Sequence, residues 1–312
     1  MLFKRRKIKL ISILCATALL LSTILAMYGC SSNQIRYTVN DTLPDGEGKV
    51  ARVILLGGQS NASGCSRDDY LEKNVSEEKY AEYKNGYDNV YINYLSGQNL
   101  SEGFVKCATE QGEIGDGFGP ELGLADKLNE LYPDETFFII KCAWGGTNLF
   151  EQWLSPSSKG KTGDLYKSFV AFVQSSIDYL TDKGYDVQIE GMCWMQGESD
   201  SFSVEASNAY GEHLENFIKD IRGKFSKYAA ADGIAFIDAY IAKNPAYWVY
   251  YEAVNQGKTD VASLSELNRV VDTSDLSCTL EPEGAPDIAH YDSLSEIKLG
   301  HLFALELVPY LA

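Results

Sequence analysis

The sequence predicts an α/β protein: a three-layer α/β/α sandwich around a mostly parallel, flavodoxin-like sheet. Three observations predict it. Apolar strand-like runs recur along the chain, and runs this continuous suit strands covered on both faces. Between them lie segments of ten residues or more with apolar positions at helical spacing, and this alternation implies right-handed crossovers. The buried runs also end in glycine or polar residues, as strand ends do at the ligand-binding edge of such sheets.

The first residues stand outside that fold. Lys4, Arg5, Arg6, Lys7 and Lys9 precede an uncharged apolar stretch from Leu10 to Met27, and Tyr28-Gly29-Cys30 follows. This is an export signal over 1–30, excluded from fold reasoning. A cysteine after a small residue at its end resembles a bacterial lipoprotein cleavage site, with Cys30 as the lipidated residue. Met27 and Tyr28 depart from the usual pattern, and an uncleaved anchor or plain secretion are the other readings. All three place the domain outside the cytoplasmic membrane, and in the lipoprotein reading the lipid anchor alone holds it there. Residues 31–48 are polar and turn-rich and read as a tether. Residues 49–312, about 260, suit one sizeable domain.

The first strand ends at Gly57-Gly58, and Gln59-Ser60-Asn61 follow. A serine there is a candidate nucleophile if a base reaches it, although the same stretch also fits a turn and a helix cap. Further strands are expected over 88–95, 136–143, 187–195 and 234–240, and helices over 121–131, 166–180, 204–225 and 294–307. Residues 241–275 show no strand pattern and read as a helical insertion or lid. The strand over 136–143 runs into Trp144-Gly145-Gly146-Thr147-Asn148, and that over 187–195 into Gln196-Gly197-Glu198-Ser199-Asp200. Three polar loops meeting on one sheet edge make a site.

Charge and cysteine usage bound the chemistry. The chain carries 27 basic and 44 acidic residues, a net charge of −17. Such a balance argues against nucleic acid as a partner and against adhesion of the domain itself to anionic lipid. Of seven cysteines, Cys15 and Cys30 belong to the signal. No Cys-x-x-Cys pair exists, which argues against zinc. Five remain, Cys278 among them, an odd number that implies at least one free thiol, and Cys142 and Cys193, in apolar strand-like runs, are expected buried and unpaired. Cys65 and Cys107, in loop-like stretches, are the most plausible disulfide.

There are three histidines. His213 sits among polar residues mid-helix and reads as a solvated surface residue; His301 reads as packing in the last helix. His290 lies in a loop before that helix, three residues after Asp287. One turn can present both, the carboxylate taking the Nδ1 proton while Nε2 faces Ser60. Oxyanion donors would be the Ser60 N–H, the Gly145 or Gly146 N–H and the Gln196 amide. Trp144 and Trp153 are candidate sugar-stacking residues, as is the cluster Tyr247, Trp248, Tyr250 and Tyr251.

Ala62 stands where the elbow of α/β-hydrolases has its second glycine, so that fold is not indicated. The set Gly58-Gln59-Ser60-Asn61, Phe118-Gly119-Pro120-Glu121, Gly145-Gly146-Thr147 with Trp153, Trp194-Met195-Gln196-Gly197-Glu198-Ser199-Asp200, and Asp287-x-x-His290 resembles the SGNH (GDSL-like) hydrolases. Within them it is similar to the carbohydrate acetylesterase branch: sialate O-acetylesterases and the acetylxylan esterases of carbohydrate esterase family six. The resemblance implies the SGNH fold and a serine esterase that removes O-acetyl groups from an acetylated glycan. It implies Ser60 as nucleophile, His290 as base, Asp287 as orienter, and Ser60, Gly146 (or Gly145) and Gln196 as oxyanion donors. It gives Gln59, Asn61, Glu198 and Asp200 site-shaping roles, not those of a glycosidase acid pair, and needs no metal or organic cofactor. Two alternatives are a surface glycan-binding lipoprotein without catalysis and a lipid or thioester hydrolase of the same superfamily.

Overall fold

In the computed structural model, which describes residues 35–311, β1 (Val50–Gly58) lies at the centre of the main sheet. The chain continues through α1 (Ser60–Ser63), β2 (Ser66–Arg67), α2 (Asp68–Asn74) and α3 (Glu77–Asn85) to β3 (Val90–Ser96). Three short strands follow, β4 (Asn99–Leu100), β5 (Val105–Lys106) and β6 (Gly117–Phe118). Next come α4 (Glu121–Leu131), β7 (Phe137–Ala143), α5 (Asp164–Asp182), β8 (Asp186–Met195) and α6 (Val204–Phe225). The last elements are β9 (Ala235–Ala239), α7 (Tyr251–Ala262), β10 (Asn268–Val271) and α8 (Ser293–Leu307).

The strand order is β10-β9-β8-β1-β7-β3-β4, with β5 also on β3. All pairs from β10 to β3 are parallel, while β4 and β5 pair antiparallel. From β1 the chain runs out to β3, returns to β7, and then passes β1 to reach β8 and β9. The order therefore reverses beside β1, where ligands of open α/β sheets bind at the carboxyl edge. Successive side chains on a strand point to opposite faces, yet every residue of β7 and all but the first of β1 are buried. Both faces of the sheet are therefore covered by helices. In α5, Phe169, Phe172, Val173, Ile177 and Leu180 form the buried stripe that the sequence spacing predicts.

Three expectations are corrected. Residues 241–275 are not an insertion: α7 crosses over and β10 extends the sheet beside β9. The strand escaped notice because it is four residues long and begins Asn-Arg. The stretch expected as a tether lies along the domain from residue 35 onward. There the Tyr37 ring packs edge-on to Phe172 at 5.2 Å, the Thr42 and Leu43 N–H groups donate to the Tyr179 hydroxyl, and Leu43 is buried. Cys65 and Cys107 are both free thiols, and the Cys107 thiol donates instead to the Glu121 carbonyl. The export segment and Cys30 lie outside the described residues.

One polar element is fixed inside the core. Lys141 interrupts the apolar run of β7 and is fully buried with its Nζ 2.7 Å from Glu121 Oε2. The same ammonium donates to the Gln111 carbonyl at 3.2 Å, and Glu121 Oε1 accepts the Gly119 N–H at 2.8 Å. A buried pair is most costly when one partner is removed. Lys141→Met should therefore destabilise the domain by about 3–5 kcal/mol, read by urea unfolding, because it strands the Glu121 charge.

Candidate active site

The carboxyl ends of β1, β7 and β8 form the floor of a cavity. At the end of β1, Gly58 has φ +140°, and a Cβ there would meet the Met195 carbonyl oxygen at 2.0 Å. Only glycine lets the chain turn this tightly against β8. Ser60 opens α1 just beyond, buried but lining the cavity together with Gly146 and His290. The Ser60 and Gly146 N–H groups have no hydrogen-bond partner among the described residues, and Gly146 reaches its position with φ +68°.

Asp287 Oδ2 lies 2.6 Å from Nδ1 of the half-buried His290, as the Asp-x-x-His spacing predicts. Partial burial opposes ionisation of Asp287, but the Ala289 N–H and the His290 ring together hold its pKa below the ordinary carboxylate value. The loop is tied down by its neighbours. The Asp287 N–H donates to the Glu281 carbonyl, and the Glu281 carboxylate accepts the Arg67 N–H and the Ser293 hydroxyl.

Asn61 joins this loop to the serine turn. Its Nδ2 donates to Glu198 Oε1 at 2.8 Å and to the Ala289 carbonyl at 3.2 Å, and its Oδ1 accepts the Tyr291 N–H at 3.0 Å. The backbone on both sides of His290 is therefore held by one side chain. Gln59 does the same for the loop after β8: its Oε1 accepts the Gly197 and Ser199 N–H groups. Burial raises the Glu198 pKa against the Asn61 hydrogen bond. Asp200 accepts from the Leu149 and Phe150 N–H groups and from Gln196, while burial pushes its pKa up to about 6.

Several expected roles change. Gln196 is fully buried, and its Nε2 faces three acceptors: Asp200 Oδ2 at 2.6 Å, the Thr147 carbonyl at 3.0 Å and Gln59 Oε1 at 3.2 Å. Turning the amide over would place its oxygen against all three, so this orientation is enforced. Gln196 braces the loops and does not offer its amide to the cavity. The Gly145 N–H is also taken, by Glu113 Oε2 at 2.8 Å, which leaves Gly146 as the free donor of the pair. Trp153 is buried, with Nε1 donating to Thr147 Oγ1 and its ring edge-on to Trp194 at 5.3 Å. Trp144 is half-buried against the core and does not line the cavity. Of the aromatic cluster, Tyr247 and Trp248 line it, and Tyr250 and Tyr251 do not. His213 is not a solvated surface residue but lies half-buried beside the Phe150 ring. His301 does more than pack: its Nε2 lies 2.8 Å from Asp126.

Sequence reasoning missed Glu113, Phe202 and Cys65, which also line the cavity. The signal for Glu113 was an acid in the glycine-rich stretch Gln111-Gly112-Glu113-Ile114-Gly115 before the Phe118-Gly119-Pro120 block. Burial, with Glu113 nearby, pushes the Cys65 thiol up to about 12, so it is no rival nucleophile. The cavity thus brings together a serine, two backbone N–H groups without partners among the described residues and a carboxylate-bound histidine.

The family described as carbohydrate esterase, sialic acid-specific acetylesterase, matches residues 50–308. A probable carbohydrate esterase of Arabidopsis thaliana is 27% identical over 131 residues, 39% of this chain. The match spans 45% of that relative's length. A solved protein from Arabidopsis thaliana superposes with a TM-score of 0.62 at 17% identity, over 84% of this chain and 100% of its own. A carbohydrate acetylesterase from Xanthomonas citri gives 0.60 at 17%, over 83% of this chain and 56% of its own. NanS gives 0.57 at 15%, over 85% and 98% respectively. At these identities the three structures establish a shared fold.

Asn61→Ala tests the link between the two loops. It leaves the Tyr291 N–H and the Ala289 carbonyl unpaired, which should cost about 1–3 kcal/mol in urea unfolding. Ester hydrolysis should fall by about 10²-fold as His290 drifts from its position.

Proposed function

The chain belongs to the carbohydrate esterase, sialic acid-specific acetylesterase family, and from that premise we propose that it is a serine esterase that removes O-acetyl groups from a glycan. The observation that carries the reading is the convergence of Ser60, His290 bound to Asp287, and the free Ser60 and Gly146 N–H groups on one cavity. Ser60 Oγ attacks the acetyl carbonyl while His290 Nε2 takes its proton. The oxyanion receives the two backbone N–H groups. His290 protonates the departing sugar oxygen, then deprotonates the water that releases acetate. Asp287 steadies the imidazolium that forms at each step. No metal or organic group enters the scheme.

The wall supports a short acyl group and a sugar leaving group. Glu113, Glu198 and His290 sit close to Ser60, where a long apolar groove for a lipid chain would need other residues. Phe202 and Tyr247, edge-on to one another at 5.6 Å, supply exposed aromatic surface at the rim for a sugar ring. The charges favour a neutral sugar. Arg67 lies beyond His290, and its guanidinium is already paired with Asp69 at 3.0 Å and Asp116 at 3.7 Å. A carboxylate-bearing sugar would meet Glu113 and Asp287 with no unpaired fork to receive it. A binding protein without catalysis has no use for Asp287 beside His290, which disfavours that alternative. The basic and apolar N-terminus supports placing this activity outside the cytoplasmic membrane, with Cys30 as the lipid attachment.

Hydrolysis of p-nitrophenyl acetate should exceed that of the butyrate and octanoate esters, and Ser60→Ala should lower kcat by roughly 10⁴-fold or more. Faster octanoate cleavage would point to a lipase, and an unimpaired Ser60→Ala would remove the nucleophile from the scheme. Among acetylated sugars, neutral xylo-oligosaccharides should give a higher kcat/KM than O-acetylated sialic acid. The reverse order would show that the acidic wall does not select.

A further inference from the structure

Glu113 has no part in the acyl-transfer scheme, yet it touches both turns that carry the oxyanion donors. Its Oε2 accepts the Gly145 N–H at 2.8 Å and the hydroxyl of Ser63, three residues after the nucleophile. Its own N–H donates to the Gly64 carbonyl at 2.9 Å, so its backbone is fastened to the end of the serine turn. The carboxylate is therefore a cross-brace between the segment that holds Ser60 and the segment that holds Gly146.

We propose that Glu113 is the positioning residue of the oxyanion hole, fixing the Gly146 N–H relative to the Ser60 N–H. This rests on the reading of Ser60 as nucleophile. Two adjacent glycines make the 145–146 turn among the most permissive backbones available. Left free, the peptide between them can rotate and present its carbonyl oxygen to the cavity in place of the Gly146 N–H. A carboxylate bond to the Gly145 N–H is charge-assisted and fixes the preceding peptide plane, which leaves the Gly145–Gly146 peptide one anchored end and a narrower range of rotation. The structure also explains why residue 145 is glycine: a Cβ there would lie 2.7 Å from Glu113 Oε2 and push the brace away. The opposing effect is repulsion between this carboxylate and the oxyanion. If repulsion dominated, removing the charge would raise kcat. Two donors, the Gly145 N–H and the Ser63 hydroxyl, already offset the charge on Oε2, so the geometric effect is the larger.

The experiment measures kcat, KM and thermal unfolding for Glu113→Gln, Glu113→Ala, Gly145→Ala and the Glu113→Ala/Gly145→Ala double variant, with p-nitrophenyl acetate. Glu113→Ala should lower kcat about 10–100-fold with KM within about threefold of wild type, since one oxyanion donor is worth at most roughly 10²–10³-fold. Glu113→Gln, whose amide oxygen still accepts, should recover most of that loss. Gly145→Ala should lower kcat similarly, and the double variant should be no slower than the worse single, because both break one brace. A kcat for Glu113→Ala within twofold of wild type or above it would overturn the proposal. So would losses that multiply in the double variant. Should Glu113→Ala not fold, Gly145→Ala decides alone: wild-type kcat in that variant refutes the brace. A Ser60→Ala enzyme that stays active would refute the nucleophile assignment instead, whereas an inactive Ser60→Ala beside a fully active Glu113→Ala refutes only this inference.

Discussion

The side chain of Asn61 connects parts of the chain 230 residues apart, and the geometry of the site depends on that connection. Ser60 follows the central strand and is placed by the sheet. His290 belongs to no strand; it lies on a loop before α8, which the sheet alone does not position. One amide bonds the backbone on both sides of His290 and reaches Glu198 with its remaining hydrogen. Gln59 and Gln196 repeat the principle toward the other two loops. The result is a buried polar network across three strand ends, in which the Asn61 amide meets three partners and the Gln196 Nε2 group three acceptors. Hydrogen bonds of this kind stiffen a site in proportion to how well their members are satisfied. The network leaves the Ser60 and Gly146 N–H groups free, both at the cavity.

Much of the fold was legible because burial writes itself into strands as continuous apolar runs. The helices over 121–131 and 204–225 agree with α4 and α6 to the residue, since their apolar stripes end at Pro133 and at the polar Ser226-Lys227. β10 was hidden because an edge strand of four residues has too little pattern to separate from a loop. The tether was misread for a different reason. Polar, turn-rich composition describes exposure along the chain but not whether that chain follows a neighbouring surface, as it does at Tyr37 and Leu43.

Site residues were legible in proportion to how local their chemistry is. Asp287 and His290 are three residues apart, so one turn can present both, although that spacing fits a turn-capping Asp as well and the other motifs are what single the pair out. Gln196 was assigned to the cavity because an amide at a strand end has the right chemistry; sequence does not reveal that Asp200, Thr147 and Gln59 have already taken its hydrogens. The choice between Gly145 and Gly146 had the same character. It turns on a carboxylate more than 30 residues upstream, Glu113, whose motif carries no catalytic signature. The sugar is read from the site and not from the fold, and in the proposed scheme the wall charges around His290, with Arg67 already paired to Asp69, do that selecting.

The proposed function stands or falls with Ser60 as the nucleophile made reactive by His290. It is tested most directly by reacting the enzyme with a fluorophosphonate and locating the adduct by peptide mass spectrometry. One adduct per chain is expected, on Ser60, with esterase activity lost in step with labelling and no labelling in His290→Ala. An adduct on another residue, or full activity in protein labelled at Ser60, would contradict it.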